Sequence, residues 1–405
     1  MQPVLIIGAG LSGLSCALHL HKKGIPVQIL EASDGIGGRV RTDEFDGFLL
    51  DRGFQVYLDA YPEAGKLLNL PALDLKPFEP GALIFDGEKL HPVMDVFRRP
   101  ASVLGSALAP IGTLADKLRV ALLRFKILHG TSKSPDQTTE NFLKNFGFSP
   151  RIIDTFFRSF YGGIFLENDL RTSSRMFEFT FRMFTQGSAT LPAAGMQSIP
   201  QQLVDQLPAD TIRLNSPVTS IDGKKVTLNT GETLTARHLI LATDAHQTAK
   251  LLPAFQAQSP TWRAVTNLYF TAEKAPFPDS IIALNGTGKG LINNIAILSN
   301  VAPSYAPTGQ ALLSVSILGL HQNENLAALV TAELQTWFGP AAKNYRHLRT
   351  DHIRHALPEQ KPGHKSPGYL KLDNTWICGD HNTTASIEGA IISGKQTAEF
   401  LLASL

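Results

Sequence analysis

Residues 8 to 42 read GAGLSGLSCALHLHKKGIPVQILEASDGIGGRVRT, and the order of residue types in this stretch decides the fold. Ahead of it stands Pro3-Val4-Leu5-Ile6-Ile7, an apolar, β-branched run with the length of a buried parallel strand. The glycines follow at once. Gly8 predicts a tight turn, Gly10 lets the backbone come close to a diphosphate, and Gly13 lets the next helix pack hard on the strand. Leu14, Ala17, Leu18 and Leu20 mark that helix, which Lys22, Lys23 and Gly24 close as the dipole and C-cap rules expect. A second strand, Pro26 to Leu30, ends at Glu31, where a carboxylate accepts hydrogen bonds from ribose hydroxyls and disfavours a 2′-phosphate. The stretch therefore predicts a βαβ unit for the ADP half of a dinucleotide. Its contacts would come from Gly8, Ala9, Gly10, Leu11, Ser12, Gly13, Glu31 and Ala32.

The residues after the acid, Gly37-Gly38-Arg39-Val40-Arg41-Thr42, extend the pattern. In this form it resembles the flavin-containing monoamine oxidase, protoporphyrinogen oxidase and phytoene desaturase superfamily. The resemblance implies FAD rather than NAD, with Gly38 and Arg39 over the diphosphate and flavin. Near the other end, Asn374 to Asp380 is a short apolar strand running into a Gly379-Asp380 turn, and Ser386 to Gly394 opens a helix. These are similar to the family's closing signature, which implies Asp380 at the ribityl chain and Ser386 and Ile387 at the flavin. A helix N-terminus there would favour the negative charge of a reduced ring. Glu388 reads equally as a site acid or as a solvated or capping one. Further matches are Ser216 to Thr243, where Val218 would meet the adenine, the turn Leu191 to Pro200, and Leu50-Asp51-Arg52-Gly53-Phe54-Gln55, which would run under the flavin.

At 405 residues, 43% hydrophobic and 18% charged, the chain is long enough for two cores and too apolar for disorder. A net charge of +2, with no basic arm and no zinc-ligand spacing, gives no reason to expect nucleic acid or a metal. Only Cys16 and Cys378 are present, so no disulfide framework is expected. Met1 to Pro3 lead straight into the first strand, and no eighteen-residue apolar run is free of charge. The expectation is a cytoplasmic protein, with peripheral membrane contact as an option. The expected fold is α/β. A discontinuous Rossmann-type FAD-binding domain would comprise residues 1–90, 190–250 and 365–405, and a second, α+β substrate-binding cap would comprise 91–189 and 251–364.

Eleven of the 23 phenylalanines fall between residues 142 and 184. Phe156, Phe157, Phe160 and Ile164 recur at helical spacing, which fits a helical core; around Tyr161-Gly162-Gly163 some rings could also line a pocket for a large apolar substrate. Residues 94–128 mix apolar runs with Arg98, Arg99, Lys117, Arg119, Arg124 and Lys126 against Asp95 and Asp116, a composition suited to a solvated basic helix face or to an anionic membrane surface. His246 reads as a surface loop residue.

The flavin would carry the electron transfer, so no catalytic base is required and none is assigned. Ser386 stands where amine oxidases place a caging aromatic, and the run Arg263 to Phe270 lacks the lysine expected there. The expected activity is hydride abstraction from an apolar, conjugated or polycyclic small molecule, with non-covalent FAD and an electron acceptor that the sequence leaves open. Two alternatives stay open: a flavin amine oxidase with an altered amine cage, and a non-catalytic FAD-binding assembly factor.

Overall fold

The computed structural model describes residues 2–99, 111–130 and 135–405. The opening strand is Val4–Ile7, and all four of its side chains are buried. It pairs in parallel with Val27–Leu30 and Leu239–Leu241, at the centre of a six-stranded sheet. The full order is Ile212–Arg213, Val27–Leu30, Val4–Ile7, Leu239–Leu241, Thr375–Ile377 and Leu370–Leu372, with only the last strand antiparallel.

Strand periodicity divides this sheet between two cores. Val4, Ile6, Ile29, Ile240 and Trp376 face the helices Leu11–His21 and Ile387–Ala403. Leu5, Ile7, Leu30, Leu239, Leu241 and Ile377 face the opposite layer, built from the antiparallel strands Val218–Asp222, Lys225–Leu228 and Thr233–Thr235 and the helix Ala245–Leu251. Because both faces are covered, the strands read as unbroken apolar runs. The first and last helices cross closely, since a Cβ on Gly394 would lie 2.2 Å from the backbone oxygen of Ser12. Ser15 Oγ donates to the carbonyl of Ile391 at 2.9 Å across the same crossing.

A second sheet of seven strands runs Arg346–Pro358, Trp262–Ala272, Ala311–Leu318, Asn294–Ile297, Ile282–Asn285, Gly81–Phe85 and Leu90–Met94. One face packs Leu268, Phe270, Leu313, Val315 and Ile295 beneath the helix Leu326–Phe338. The hairpin Gly81 to Met94 lies across the boundary expected at residue 90. Gly81–Phe85 extends this second sheet by pairing in parallel with Ile282–Asn285, a partner about two hundred residues away that no local pattern announces.

The aromatic-rich segment forms the helices Thr139–Phe146, Arg158–Phe165 and Ser174–Gln186, with a π-helical turn at Ile153–Phe157. Phe157, Phe165 and Phe177 are fully buried among them. Residues 114–129 form one helix, Leu114–His129, opened by a capping box in which Thr113 and Asp116 bond reciprocally. Residues 100–110 of the expected membrane-facing segment lie outside the described residues. No helix among the described residues is long and apolar enough to cross a membrane.

Candidate active site

A cavity of about 1380 Å³ runs between the two sheets and the aromatic helices. Gly8, Gly10, Leu11, Ser12, Glu31, Ala32, Gly38, Arg39, Gly53, Phe54, Gln55, Val218, Gly379, Asp380, Ser386 and Ile387 all line it. Ala9 and Gly13 stand just behind. The Ala9 amide donates to Glu31 Oε2 at 2.7 Å, and a Cβ on Gly13 would come within 2.1 Å of the Gly8 carbonyl oxygen. Gly13 is thus the contact that seats helix on strand. Gly10 is different, since no heavy atom lies within 4 Å of where its Cβ would be. The opening in front of Gly10 therefore suits a bulky group brought close to the backbone.

Glu31 also organises the turn. Its second oxygen accepts from Ser33 N at 2.9 Å and Ser33 Oγ at 2.7 Å. The adjacent loop closes on the glycine turn through Gly37 N to Ala9 O at 2.8 Å, while positive φ values of 99° and 62° at Gly37 and Gly38 let the chain double back. Arg39 then reaches the far end of the chain. Its Nη2 donates to Asp380 Oδ1 at 2.6 Å and its Nη1 to the carbonyl of Ala356 at 3.0 Å. Gln55 Nε2 holds the Arg39 carbonyl at 2.7 Å. Ser386 Oγ accepts from Gly389 N at 3.0 Å and so caps the last helix, whose first amides have no carbonyl of their own helix to reach.

Glu388 proves to be a capping acid. It is buried and accepts from the amides of Glu63 and Ala64 at 2.9 and 2.8 Å, at the start of the short helix Ala64–Leu67. Asp51, next to the cavity residues Arg52 and Gly53, is buried under several donors, among them Arg349 Nη2, which donates to its carbonyl at 3.1 Å. Thr42 Oγ1, Met196 N and Tyr305 Oη reach its carboxylate, and Tyr269 Oη reaches its carbonyl. Burial outweighs these bonds and pushes its pKa up to about 6. His381, beside Asp380, is buried and pushed down to about 4 by loss of solvent. His246 belongs to the helix Ala245–Leu251 rather than a loop, and its ring lies 4.8 Å from that of His355.

The other half of the cavity is apolar and aromatic. Phe156 and Phe160 stack at 5.6 Å between ring centres, and Tyr161, Phe181, Phe184 and Phe54 complete much of the wall. Phe156 belongs to the π-helical turn, whose Phe157 is buried, so the aromatic segment supplies both the core and the lining. Sequence reasoning missed His352 to Leu357, the edge strand that skirts the cavity, and Asn294 and Ser316 on its wall. A signal existed for one of these. Asn293-Asn294 interrupts the otherwise apolar run Leu291 to Leu298. Among the described residues no group of three or more His, Cys, Asp or Glu side chains could hold a metal ion.

Comparison with known proteins agrees with this geometry. Residues 11–402 match the model of the family described as flavin containing amine oxidoreductase. The chain is 27% identical over 169 residues to protoporphyrinogen oxidase 2 of Arabidopsis thaliana, a match covering 40% of this chain and 32% of the plant protein. It is 22% identical over 366 residues to coproporphyrinogen III oxidase of Bacillus subtilis, covering 76% of each. The fold is shared with a redesigned putrescine oxidase at a TM-score of 0.77 and 18% identity, covering 100% of this chain and 99% of that one. A glycine turn, a terminal Gly-Asp turn and a capped helix on one cavity wall, in a chain matched almost end to end, lead to one conclusion: this protein is a flavin-dependent oxidoreductase belonging to the flavin containing amine oxidoreductase family.

Proposed function

We propose that the cavity holds FAD without a covalent link and oxidises an apolar, conjugated or polycyclic substrate by removing hydride. The observation that carries this reading is continuity: the wall from Gly8 to Arg39 and from Gly379 to Ile387 opens directly into the aromatic half. The cofactor fits the residues present, because the space in front of Gly10 is open and the Arg39 guanidinium stands on the same wall. Glu31, Ala32 and Val218 would hold the adenosine, Gly8 to Gly13 with Gly38 and Arg39 the diphosphate, Asp380 the ribityl chain, and Gly53, Phe54, Gln55, Ser386 and Ile387 the ring. Neither Cys16 nor Cys378 lines the cavity, so no thiol is placed to form a covalent link.

Bound FAD supplies the two-electron acceptor. The chain's own part is to orient the substrate and keep water out. Phe54, Phe156, Phe160 and Phe184 offer flat apolar faces to a planar skeleton. Amine oxidation is less well served. Ser386 rather than an aromatic precedes the last helix, and Trp262–Ala272 contains no lysine.

We also propose that substrate arrives from an anionic lipid surface. Leu114, Leu118, Leu122 and Phe125 form one stripe of the helix Leu114–His129, with Leu118 and Phe125 68% and 60% exposed. Leu114 and Leu118 also line the cavity, and the same helix carries Lys117, Arg119, Arg124 and Lys126 against the single acid Asp116.

The test is anaerobic titration of the purified yellow protein. Bleaching of the flavin band by hydrophobic polyenes or reduced tetrapyrroles, and not by amines, is the expected result. Bleaching by amines with release of hydrogen peroxide in air would replace this reading with amine oxidation. A flavin that light reduces but no compound bleaches would indicate a binding factor, and a colourless protein that cannot be reconstituted would remove the FAD assignment.

A further inference from the structure

A polar row crosses the cavity-side face of the seven-stranded sheet, with Asp351 of the edge strand opposite Asn267 at one end and Ser314 beside it. Asn267 stands opposite Ser316, and Ser316 stands opposite Asn294, so the three side chains share a face across three neighbouring strands. On either side the same face carries Val265, Leu318, Ile282 and Leu284. Asn294 and Ser316 line the cavity, and Asn267 is completely buried between strands.

The two amide oxygens of this row already accept hydrogen bonds. Asn267 Oδ1 accepts from Ser314 Oγ at 3.0 Å and Ser316 Oγ at 3.1 Å, and Asn294 Oδ1 accepts from Asn293 Nδ2 at 3.0 Å. Both Asn267 Nδ2 and Asn294 Nδ2, by contrast, are buried without a hydrogen-bond partner. Native folds rarely keep such groups unless something meets them. Gly163, also on the cavity wall, leaves the room, because a Cβ there would come within 3.2 Å of Asn294 Oδ1.

We infer that Asn294, braced by the Asn267–Ser316 pair, is a specificity residue whose amide donates to an acceptor oxygen, carbonyl or carboxylate, on the apolar substrate. The arrangement selects against a plain hydrocarbon, since a ligand without the oxygen leaves the buried amide unmet. This inference rests on the proposed apolar substrate and narrows its class.

The experiment measures binding to the FAD-loaded protein by perturbation of the flavin band, using fluorene, fluorenone and fluorenecarboxylate, which share one skeleton. Fluorenone, fluorenecarboxylate or both should bind on the order of tenfold more tightly than fluorene, the scale of one good hydrogen bond, and which of the two does so identifies the oxygen. Asn294→Leu should abolish that preference while fluorene binding and flavin content stay as they were. Asn294→Ser, which shortens the side chain, should do the same and serves if the leucine variant does not fold. Equal affinity for all three probes, or a preference that survives in the folded variant, overturns the inference and leaves the apolar-substrate reading standing. Failure of all three to perturb the flavin overturns that reading, and this inference with it.

Discussion

Arg39 and Asp380 are 341 positions apart in sequence and 2.6 Å apart in space, the guanidinium Nη2 donating to the carboxylate Oδ1. The pair joins the loop after the glycine turn to the turn before the last helix, on the wall of the cavity. Asp380 is 4% exposed, so its charge is held by Arg39 and by whatever the cavity binds. Asp380→Asn keeps the size and removes the charge. It should weaken flavin binding by on the order of tenfold or more, the scale of a charge-assisted hydrogen bond, with the circular-dichroism spectrum unchanged. Full flavin affinity in the variant would reduce the pair to a structural clasp.

Gly10 and Gly13 should separate fold from cofactor. Gly10 has φ −72° and ψ 173°, angles open to alanine, with nothing within 4 Å of the added carbon. Gly10→Ala should therefore cost about 1 kcal/mol or less in stability while reducing flavin affinity sharply. At Gly13 the added carbon would stand 2.1 Å from a backbone oxygen and 3.1 Å from Ala242 Cβ. Gly13→Ala should destabilise even the flavin-free protein by roughly 2 kcal/mol or more. Urea unfolding of apo protein and flavin titration distinguish the two; equal effects of both substitutions would refute the division.

Glu31 carries two tasks in one carboxylate. It receives the Ala9 amide and both donors of Ser33, and it stands on the cavity wall at the end of Val27–Leu30. Glu31→Ala should weaken FAD retention by about 1.5–3 kcal/mol, as expected for lost hydrogen bonds to a charged acceptor. Apo protein should lose stability as well. A variant with lowered stability but unchanged FAD affinity would show that the acid serves the turn alone.

The parts of this site that could be read from sequence are those in which chemistry and chain order coincide. From Val4 to Arg39 the strand, turn, helix and acid are consecutive, and each is dictated by local sterics and periodicity. The strand Thr375–Ile377 and the helix from Ile387 were legible for the same reason. The Asn267–Ser316–Asn294 row was not, because it exists only in the pairing register of three strands. Nor was the strand Gly81–Phe85, whose place in the second sheet depends on Ile282–Asn285. Glu388 could be read either way until the backbone of Glu63 and Ala64, over three hundred positions earlier, was seen to occupy it.

Asp51 predicts a pH dependence with a definite sign. Its folded-state pKa of about 6 lies above the ordinary carboxylate value of 3.8, so the native state holds this proton more tightly than the unfolded chain. Stability from this group is therefore greatest below about pH 4 and is lost as pH rises through about 6. Relative to Asp51→Asn, which cannot ionise, the wild-type protein should lose about 3 kcal/mol between those limits. Urea midpoints of both proteins across that window test the claim; a stability gap that does not change with pH would contradict it.

The apolar stripe of Leu114–His129 sets a prediction of a different kind, because its energy depends on a surface outside the protein. Leu118 and Phe125 are exposed on a helix whose acid, Asp116, is turned inward to Thr113 and Ser149; Arg119, 3.8 Å from Asp116, and Lys126, over the Phe146 ring, are the basic groups beside them. Wild-type protein should sediment with vesicles containing phosphatidylglycerol and much less with pure phosphatidylcholine. Salt should weaken the association, since exposed charges are screened over about 8–10 Å at physiological ionic strength. Replacing Leu118 and Phe125 together by Glu should remove apolar burial and add two negative charges, abolishing sedimentation while leaving the flavin spectrum intact. If the wild-type protein ignores both vesicles, the stripe has another partner and the cavity is filled from water; if the double variant still sediments, a different face makes the contact.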